Sequence, residues 1–426
     1  MGLACLSSDS PEPIGKAIAV YEQILEELDQ LDHRGLAADP TTRRALAGQV
    51  DAIAELELQA AEVIEMAVTE MTVKREGGKV WIDNVNVRDT GIYASSVHGA
   101  AATILETLGE SLGYDDLVCY GGFAFRANWH QAGCPSAGHP CCGYMCIDNG
   151  IRALPWKCKL YESFPWGTQR HDDQRAAFEA EACAAIKASI DRGIPVHYGS
   201  EEDGLIIGYA DQGRRWWCVH PYHGPWHEGF WHDQVTGGPP ASFTGGKWPW
   251  AITVWLKPKA PQQRADPREL LIAALTQAVD MWHTEKRGDY YCGDAAYEHW
   301  LTWLRDVEAG NVDNPKAGMQ GNGWCYDVLV HSRRIASPWL RKQADLFDGE
   351  AREHLLAAAE HYGKIPPICM EGIDCPWSLA PQPNKADQWT GEMRRKQIAR
   401  LEASRKHDAA AVAELEKALA ALEAEE

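Results

Sequence analysis

Long apolar runs, basic residues and phenylalanine are all scarce in this sequence of 426 residues. No apolar run reaches the ~18 residues needed to cross a bilayer, so a membrane-spanning helix is not expected. Lysine and arginine total 41 against 61 aspartate and glutamate, which gives a net charge of −20. Because phosphate binding requires clustered cations, this balance argues against nucleic acid and anionic membranes as partners.

The first residues, MGLACLSSDSPEP, lack the basic region and the apolar segment of a secretory signal peptide. We therefore expect a cytoplasmic protein, whose 13 cysteines are mostly thiols or metal ligands rather than disulfides. Phenylalanine occurs 7 times, whereas tryptophan occurs 18 times. Indole rings suit sugars, peptides and wet interfaces as well as large cores, so this bias leaves both uses open.

Changes in residue pattern divide the chain into five segments. Residues 1–72 contain helical apolar periodicity and predict an N-terminal helical hairpin. Residues 73–257 combine a few helices with several short strands, which predicts an α+β domain. A polar linker with proline follows at 258–265. Residues 266–382 predict a helical domain, and 383–426 predict one long C-terminal helix.

Periodicity also predicts individual elements within these segments. The expected helices of the α+β domain are 96–112, 115–120 and 174–192, and its strands are 78–87, 194–199, 203–210, 214–222 and 250–257. Helices are expected at 267–283, 293–307, 323–347, 349–365 and about 386–425, with a proline-rich loop at 366–383. The last helix is expected to pair with the N-terminal hairpin or to join two copies in a homodimer.

The segment ASSVHGAAATILETLG, residues 94–109, predicts the beginning of a helix with an apolar stripe. Ser95 or Ser96 can cap the free backbone N–H groups there, which is a sufficient structural reason for serine. The same helix end would also stabilise a thiolate or an oxyanion beside it. No cysteine stands at this tip, so the segment is either a capped core helix or an altered active site.

The order of three motifs resembles a known family. The helix tip is followed by GYDDLVCYGGFAFRANW and then by IPVHYGSEEDGLIIGYADQGRRWWCVHPY. This order is similar to papain-like proteins of the butirosin-biosynthesis acyltransferase type, which are related to double-glycine leader peptidases. The resemblance covers about residues 80–257, and 266–380 resembles the helical domain often fused to that family. It implies a papain-like α+β fold flanked by the hairpin and the helical domain.

The resemblance also implies positions for the catalytic groups. Thirteen residues before Gly109, Ser96 stands where the family has its cysteine, and six before Gly208, Glu202 stands where it has histidine. His220 stands where the family has Asp or Asn. Because a papain-like mechanism pairs a thiolate with an imidazole, ordinary cysteine protease activity is not expected. The three groups either form a rearranged Ser–His–Glu triad or mark a cleft that has lost its chemistry.

The favoured interpretation is a non-peptidase that binds a small amine or peptide between the papain-like and helical domains. The resemblance and the helix tip predict these ligand-binding residues: Ser95, His98, Trp129, His130 and Cys134. The alternative is an acyltransferase or amidohydrolase that uses Ser96 as its nucleophile. The acidic triplet at 201–203 is by default a solvated turn, and its alternative is a rim that faces a cation.

Two clusters provide a third interpretation, a zinc protein. CVHPYHGPWHEGFWHD contains His220, His223, His227 and His232, which could ligate zinc or another borderline metal. WHQAGCPSAGHPCCGYMC could form a structural zinc site from Cys134, His139, one of the adjacent cysteines and Cys146. Neither cluster has the spacing of a standard zinc motif, so buried thiols and stacked rings are favoured and no cofactor is expected.

Overall fold

The computed structural model describes residues 73–83, 85, 95–131, 150–162, 172–199, 203–213, 215–219, 227–231 and 251–425. In chain order, strands β1–β11 are Val73–Glu76, Lys79–Ile82, Asn128–Trp129, Trp156–Glu162, Val196–Gly199, Gly204–Ala210, Arg215–Val219, His227–Trp231, Ala251–Pro258, Lys286–Arg287 and Tyr290–Cys292. Helices α1–α8 are Ser96–Thr107, Tyr114–Tyr120, Asp172–Ile190, Pro267–His283, Gly293–Ala309, Met319–Gln343, Gly349–Met370 and Gly391–Glu425.

These elements form a mixed α+β structure, in which a curled antiparallel sheet precedes a helical region. The main sheet runs β1-β2-β6-β5-β9-β4, and β7 pairs with both β6 and β8. Strand β6 is central, and every one of its residues is buried, as expected for an apolar strand covered on both faces. A Cβ atom on Gly208 would lie 2.7 Å from that of Trp81, so glycine lets β2 approach β6.

Most elements of the α+β region that carry an apolar pattern are confirmed. The observed β5, β6, β9, α2 and α3 agree with their predicted bounds to within two residues. Helix α1 ends at Thr107 rather than at 112, because Gly109 adopts a left-handed conformation with φ +72°. The sequence did not predict β1 or β4, since VKRE and WKCKLYE are too polar to indicate a strand without the partners β2 and β9.

The helical region is also close to its prediction, although α6 is Met319–Gln343 rather than 323–347 and α8 begins at Gly391 rather than about 386. The predicted loop at 366–383 is wrong at its beginning, because α7 continues through both prolines of KIPPICM to Met370. Proline has no backbone N–H to donate inside a helix, so tertiary contacts must hold this turn. The carbonyl oxygen of Cys369 accepts hydrogen bonds from the Tyr326 hydroxyl at 2.8 Å and from Arg400 Nη1 at 2.9 Å.

A buried ion pair connects the helical region to the α+β region. Arg333 of α6 binds Asp408 of α8 through two contacts of 2.7 Å, and both side chains are fully buried. The remaining guanidinium nitrogen, Nη1, donates to the backbone carbonyls of Ala124 and Arg126 at 2.7 and 3.2 Å. Strand β3 also pairs with β11, so the two regions share a small sheet.

Four tryptophans form a cluster where β3 meets the helical region. The ring of Trp129 stacks on Trp300, with centroids 5.3 Å apart and planes inclined by 8°. Trp303 lies 5.3 Å from Trp129, and Trp389 stacks on Trp303 at 5.8 Å. At least these indoles serve the core, which is one of the two uses that the composition left open.

Helix α8 packs inside its own chain, against α7, α5 and α4. Its buried face includes Leu401, Ala411, Leu415 and Leu422. The predicted N-terminal hairpin, residues 1–72, lies outside the described residues, and so does any pairing of it with α8. No helix in the described part of the chain is long and apolar enough to span a bilayer.

Candidate ligand site at the tip of helix α1

The first turn of α1 contains a buried hydroxyl–imidazole pair. Ser95 immediately precedes the helix and has no exposed surface. Its Oγ lies 2.6 Å from Nδ1 of His98, which is 4% exposed. The Ser95 hydroxyl makes no hydrogen bond to the helix backbone, so the predicted capping by this side chain is wrong. The imidazole of His98 is the partner of this hydroxyl instead.

Ser96 connects α1 to the central sheet. Its Oγ accepts a hydrogen bond of 3.1 Å from the backbone N–H of Asp203, the residue before β6. The resemblance had placed Glu202, the neighbour of Asp203, opposite Ser96. Glu202 and His220 lie outside the described residues, so the Ser96–Glu202–His220 triad stays a prediction.

Asp203 also contacts a histidine that the sequence analysis missed. Its Oδ2 lies 2.6 Å from Nε2 of His197, and the two side chains are only 16% and 12% exposed. A solvated turn is therefore the wrong description for Asp203. The signal for His197 was the alternation of VHYG in β5, which buries Val196 and Tyr198 on the opposite face.

The helical region approaches the tip from another side. The backbone N–H of Ser95 donates to the hydroxyl of Tyr114 at 3.1 Å, and the ring of Tyr114 meets His331 of α6 edge-on at 6.0 Å between centroids. Nε2 of His331 is buried and has no hydrogen-bond partner among the described residues. Burial and the nearby Arg334 lower the pKa of His331 to about 4, so this imidazole is neutral at pH 7.

Asp327 lies one helical turn before His331, on the same face of α6. Burial raises the pKa of Asp327 to about 6, although Arg334 and a hydrogen bond with Trp377 oppose the shift. Trp377 lies across Gly323, where a Cβ would be 2.2 Å from the indole. Burial thus raises the pKa of the Asp327 carboxyl group and lowers that of the His331 imidazole one turn away.

Comparisons with known proteins assign no family. No protein-family model matches the chain, and no curated protein matches it significantly. The resemblance to papain-like acyltransferases therefore rests on the order of the motifs, and the roles of individual residues rest on their geometry.

The other predicted site residues are less informative. Trp129 is 3% exposed within the tryptophan cluster, and His130 packs on Tyr290 at 4.8 Å between ring centroids. Only the backbone of His227 is described, in β8. The remaining predicted ligands fall outside the described residues: Cys134, His139, Cys146, His223 and His232. Within the described part of the chain, no three His, Cys, Asp or Glu side chains are placed to hold a metal ion.

The tip of α1 contacts Asp203 of the sheet pair (His197 and Asp203) through Ser96. Tyr114 connects the tip to His331 of the α6 pair, which is defined as Asp327 and His331, one helical turn apart. A papain-like mechanism needs an imidazole beside the nucleophile and a carboxylate beyond the imidazole. On the sheet side, Ser96 contacts the backbone N–H of Asp203, while the carboxylate of Asp203 contacts the imidazole of His197. The described groups offer an acceptor nitrogen at His331 and carboxylates at Asp203 and Asp327, with the guanidinium of Arg334 near the α6 pair.

Proposed function

We propose that this protein is a ligand-binding member of the papain-like acyltransferase type in which the usual catalysis is lost. It binds a small amine or peptide between the tip of α1 and helix α6. The observation that carries the proposal is Nε2 of His331, buried with no hydrogen-bond partner among the described residues. Leaving such an atom unsatisfied costs about 1–3 kcal/mol, which a bound ligand would recover.

The element order supports the papain-like part of this proposal. Ser96, at the position that the resemblance gives to the nucleophile, begins α1 and meets the chain immediately before β6. That is the place where the family pattern has its base, within one residue of the predicted Glu202. This contact between two motifs more than a hundred residues apart supports the proposal, although the side chains differ from the family pattern.

The side chains at the tip support the loss of catalysis. Ser95 has an imidazole beside its hydroxyl, but the residue has no exposed surface. Ser96 is 7% exposed, and its hydroxyl already accepts a backbone N–H. In the described part of the chain, neither serine presents an exposed hydroxyl beside an imidazole, as nucleophilic catalysis requires.

The charges around the tip support an amine as the ligand. An ammonium group has three donors, and the α6 pair provides a carboxylate in Asp327 and an acceptor nitrogen in neutral His331. Both lie in a half-buried environment, where interactions with charge are stronger than in water. Arg334 is exposed beside them and can bind the carboxylate end of a peptide.

A panel of primary amines, from methylamine to dipeptide amides, tests this proposal by thermal shift and calorimetry. Their N-acetyl derivatives, which lack the ammonium group, are the matched controls. We expect amines to bind and the acetylated compounds not to bind. His331→Ala and Asp327→Asn should each weaken the best amine about 10–100-fold, the loss of a hydrogen bond to a charged group.

Asp345→Asn is the control variant, because Asp345 follows α6 and its side chain is 74% exposed. It should leave the affinity for the amine unchanged. Equal binding of amines and acetylated compounds, or binding that survives both α6-pair variants, contradicts the proposal.

The Ser95–His98 contact favours a second candidate, an acyltransferase or amidohydrolase. A serine nucleophile needs an imidazole that can accept its proton, and the Ser95 hydroxyl lies 2.6 Å from one. The helix end beside it could stabilise an oxyanion. Incubation with a fluorophosphonate, followed by intact-mass spectrometry, separates the two functions. Loss of catalysis predicts no adduct. A stoichiometric adduct that disappears in Ser95→Ala or Ser96→Ala establishes the alternative and identifies the nucleophile.

A further inference from the structure

Histidines line the contact between the antiparallel helices α7 and α8. Nδ1 of His354 in α7 lies 2.6 Å from Oε2 of Glu414 in α8, an ordinary contact between an imidazole and a carboxylate. Seven residues on in α7 and seven residues back in α8, His361 faces His407. Here the imidazole meets a second imidazole, and the two Nδ1 atoms are 3.4 Å apart.

The distance between these Nδ1 atoms is long for a hydrogen bond and equals the separation of two ligands of one metal ion. For comparison, N–H···O hydrogen bonds have most often a length of about 2.9–3.0 Å. Two nitrogens bound to one tetrahedral zinc, at about 2.0–2.1 Å each, are about 3.3–3.4 Å apart. The rings of His361 and His407 have centroids 5.7 Å apart and planes inclined by 39°, and both side chains are half-buried, within reach of ions from solvent.

We propose that His361 and His407 bind a divalent metal ion of the borderline class, zinc or a neighbour such as cobalt or nickel, between α7 and α8. Imidazole nitrogen is a preferred ligand of these ions. No third His, Cys, Asp or Glu of the described residues completes the site, so water or an external ligand takes the remaining positions. This site is separate from the proposed amine function and does not depend on it.

The charged groups nearby are already paired. Lys364, one turn after His361, binds Glu360 at 2.7 Å. Asp408, next to His407, is fully buried against Arg333. The two imidazoles are therefore the groups at this point of the contact that remain for a metal ion.

Titration of the full-length protein with Zn²⁺, and with Co²⁺ for its visible spectrum, tests the site. We compare the unmodified chain with His361→Ala, His407→Ala and the control His354→Ala, which removes the imidazole paired with Glu414. Each of the first two variants should lose one bound equivalent, or at least about tenfold in affinity. The control should bind as the unmodified chain does. Zinc bound by the predicted clusters at 134–146 and 220–232 is the same in every variant, so it cancels when stoichiometry and affinity are compared between variants.

Equal stoichiometry and affinity in all three variants would overturn the metal site. Circular dichroism establishes that each variant is folded before it is titrated. If a variant does not fold, nitrogen-15 NMR of histidines in the unmodified chain decides the question. Zinc must shift the ring nitrogens of His361 and His407, and unchanged resonances at saturating zinc contradict the proposal.

Discussion

Ser95 and Ser96 are adjacent in the chain, yet their polar groups bind partners on different sides of α1. The hydroxyl of Ser95 contacts His98 and its N–H contacts Tyr114, whereas the hydroxyl of Ser96 contacts Asp203. The sequence predicted a helix tip here from local pattern. It could not predict these partners, because two of them lie 19 and 107 residues away and meet the tip only through tertiary packing.

The Arg333–Asp408 ion pair gives the first residue-scale prediction. Asp408→Asn should lower the free energy of unfolding by about 3–5 kcal/mol, because it leaves a buried guanidinium without its counter-charge. The double variant Arg333→Met with Asp408→Leu should lose less, since it removes both charges together. Urea denaturation measures these losses.

The control for this prediction is an exposed pair that joins α5 to the same helix. Arg305 and Glu402 are in contact at 2.6 Å, with side chains 54% and 45% exposed. Arg305→Met should cost no more than about 1 kcal/mol. A loss as large as that of Asp408→Asn would show that α8 depends on charge generally and not on the buried pair.

The α6 pair gives a prediction about pH. The folded pKa of His331 is about 4, below its ordinary 6.5, so the unfolded chain binds more protons in that window and stability falls as pH falls through it. The folded pKa of Asp327 is about 6, above its ordinary 3.8, so its contribution is present at low pH and is lost as pH rises through 6. The contributions of His331 and Asp327 to the slope of stability against pH therefore have opposite signs.

Asp327→Asn should therefore leave the pH dependence of stability that comes from His331 without the opposing contribution of Asp327. Between pH 4 and 6.5, the stability of this variant should rise more steeply with pH than that of the unmodified chain. NMR titration of the His331 ring, with a midpoint near 4, checks the assignment directly. Parallel pH profiles of the two chains, together with an ordinary histidine midpoint, would contradict it.

At the scale of elements, helices and strands with a clear apolar period were predictable and the others were not. The pattern of PRELLIAALTQAVDMWH predicted α4 with its observed bounds. The end of α7 was not predictable, because proline favours a loop locally and the contacts that hold the turn come from α6 and α8. The strand of His197 was predicted, but its contact with Asp203 was not, because strand alternation does not show which partner a side chain meets.

The anchoring of α1 gives the element-scale prediction. Tyr114→Phe removes the acceptor of the Ser95 N–H and should cost about 1–3 kcal/mol, the penalty for an unsatisfied buried donor. Tyr120→Phe in the same helix is the matched control. Its ring contact with Trp339 does not involve the hydroxyl, so the loss should be within about 0.5 kcal/mol. Similar losses in both variants would mean that the tyrosine hydroxyls of α2 act generally and not through α1.

At the scale of the whole molecule, the α+β and helical regions are built into one another. Strand β3 pairs with β11, and Arg333 binds two carbonyls of the α+β region while it binds Asp408. The residue pattern predicted an α+β domain and a helical domain separated by a linker, with a helical hairpin before them and a long helix after them. It could not predict a shared sheet of only two or three residues per strand, because segments that short carry no period of their own.

This integration predicts that the two regions open together. In hydrogen-exchange mass spectrometry, the slowest amides of β6 and of α6 should share one opening free energy, equal to the global free energy of unfolding. If the α6 amides exchange through a separate opening of lower free energy, the helical region is an independent unit.

The measurement that tests the central claim most directly is calorimetric titration of the best amine from the panel. It compares the unmodified chain, His331→Ala and Ser96→Ala. The account predicts one bound equivalent without turnover, affinity about 10–100-fold weaker in His331→Ala, and binding retained in Ser96→Ala. Equal affinity in the unmodified chain and His331→Ala, or amine consumption that requires Ser96, would contradict it.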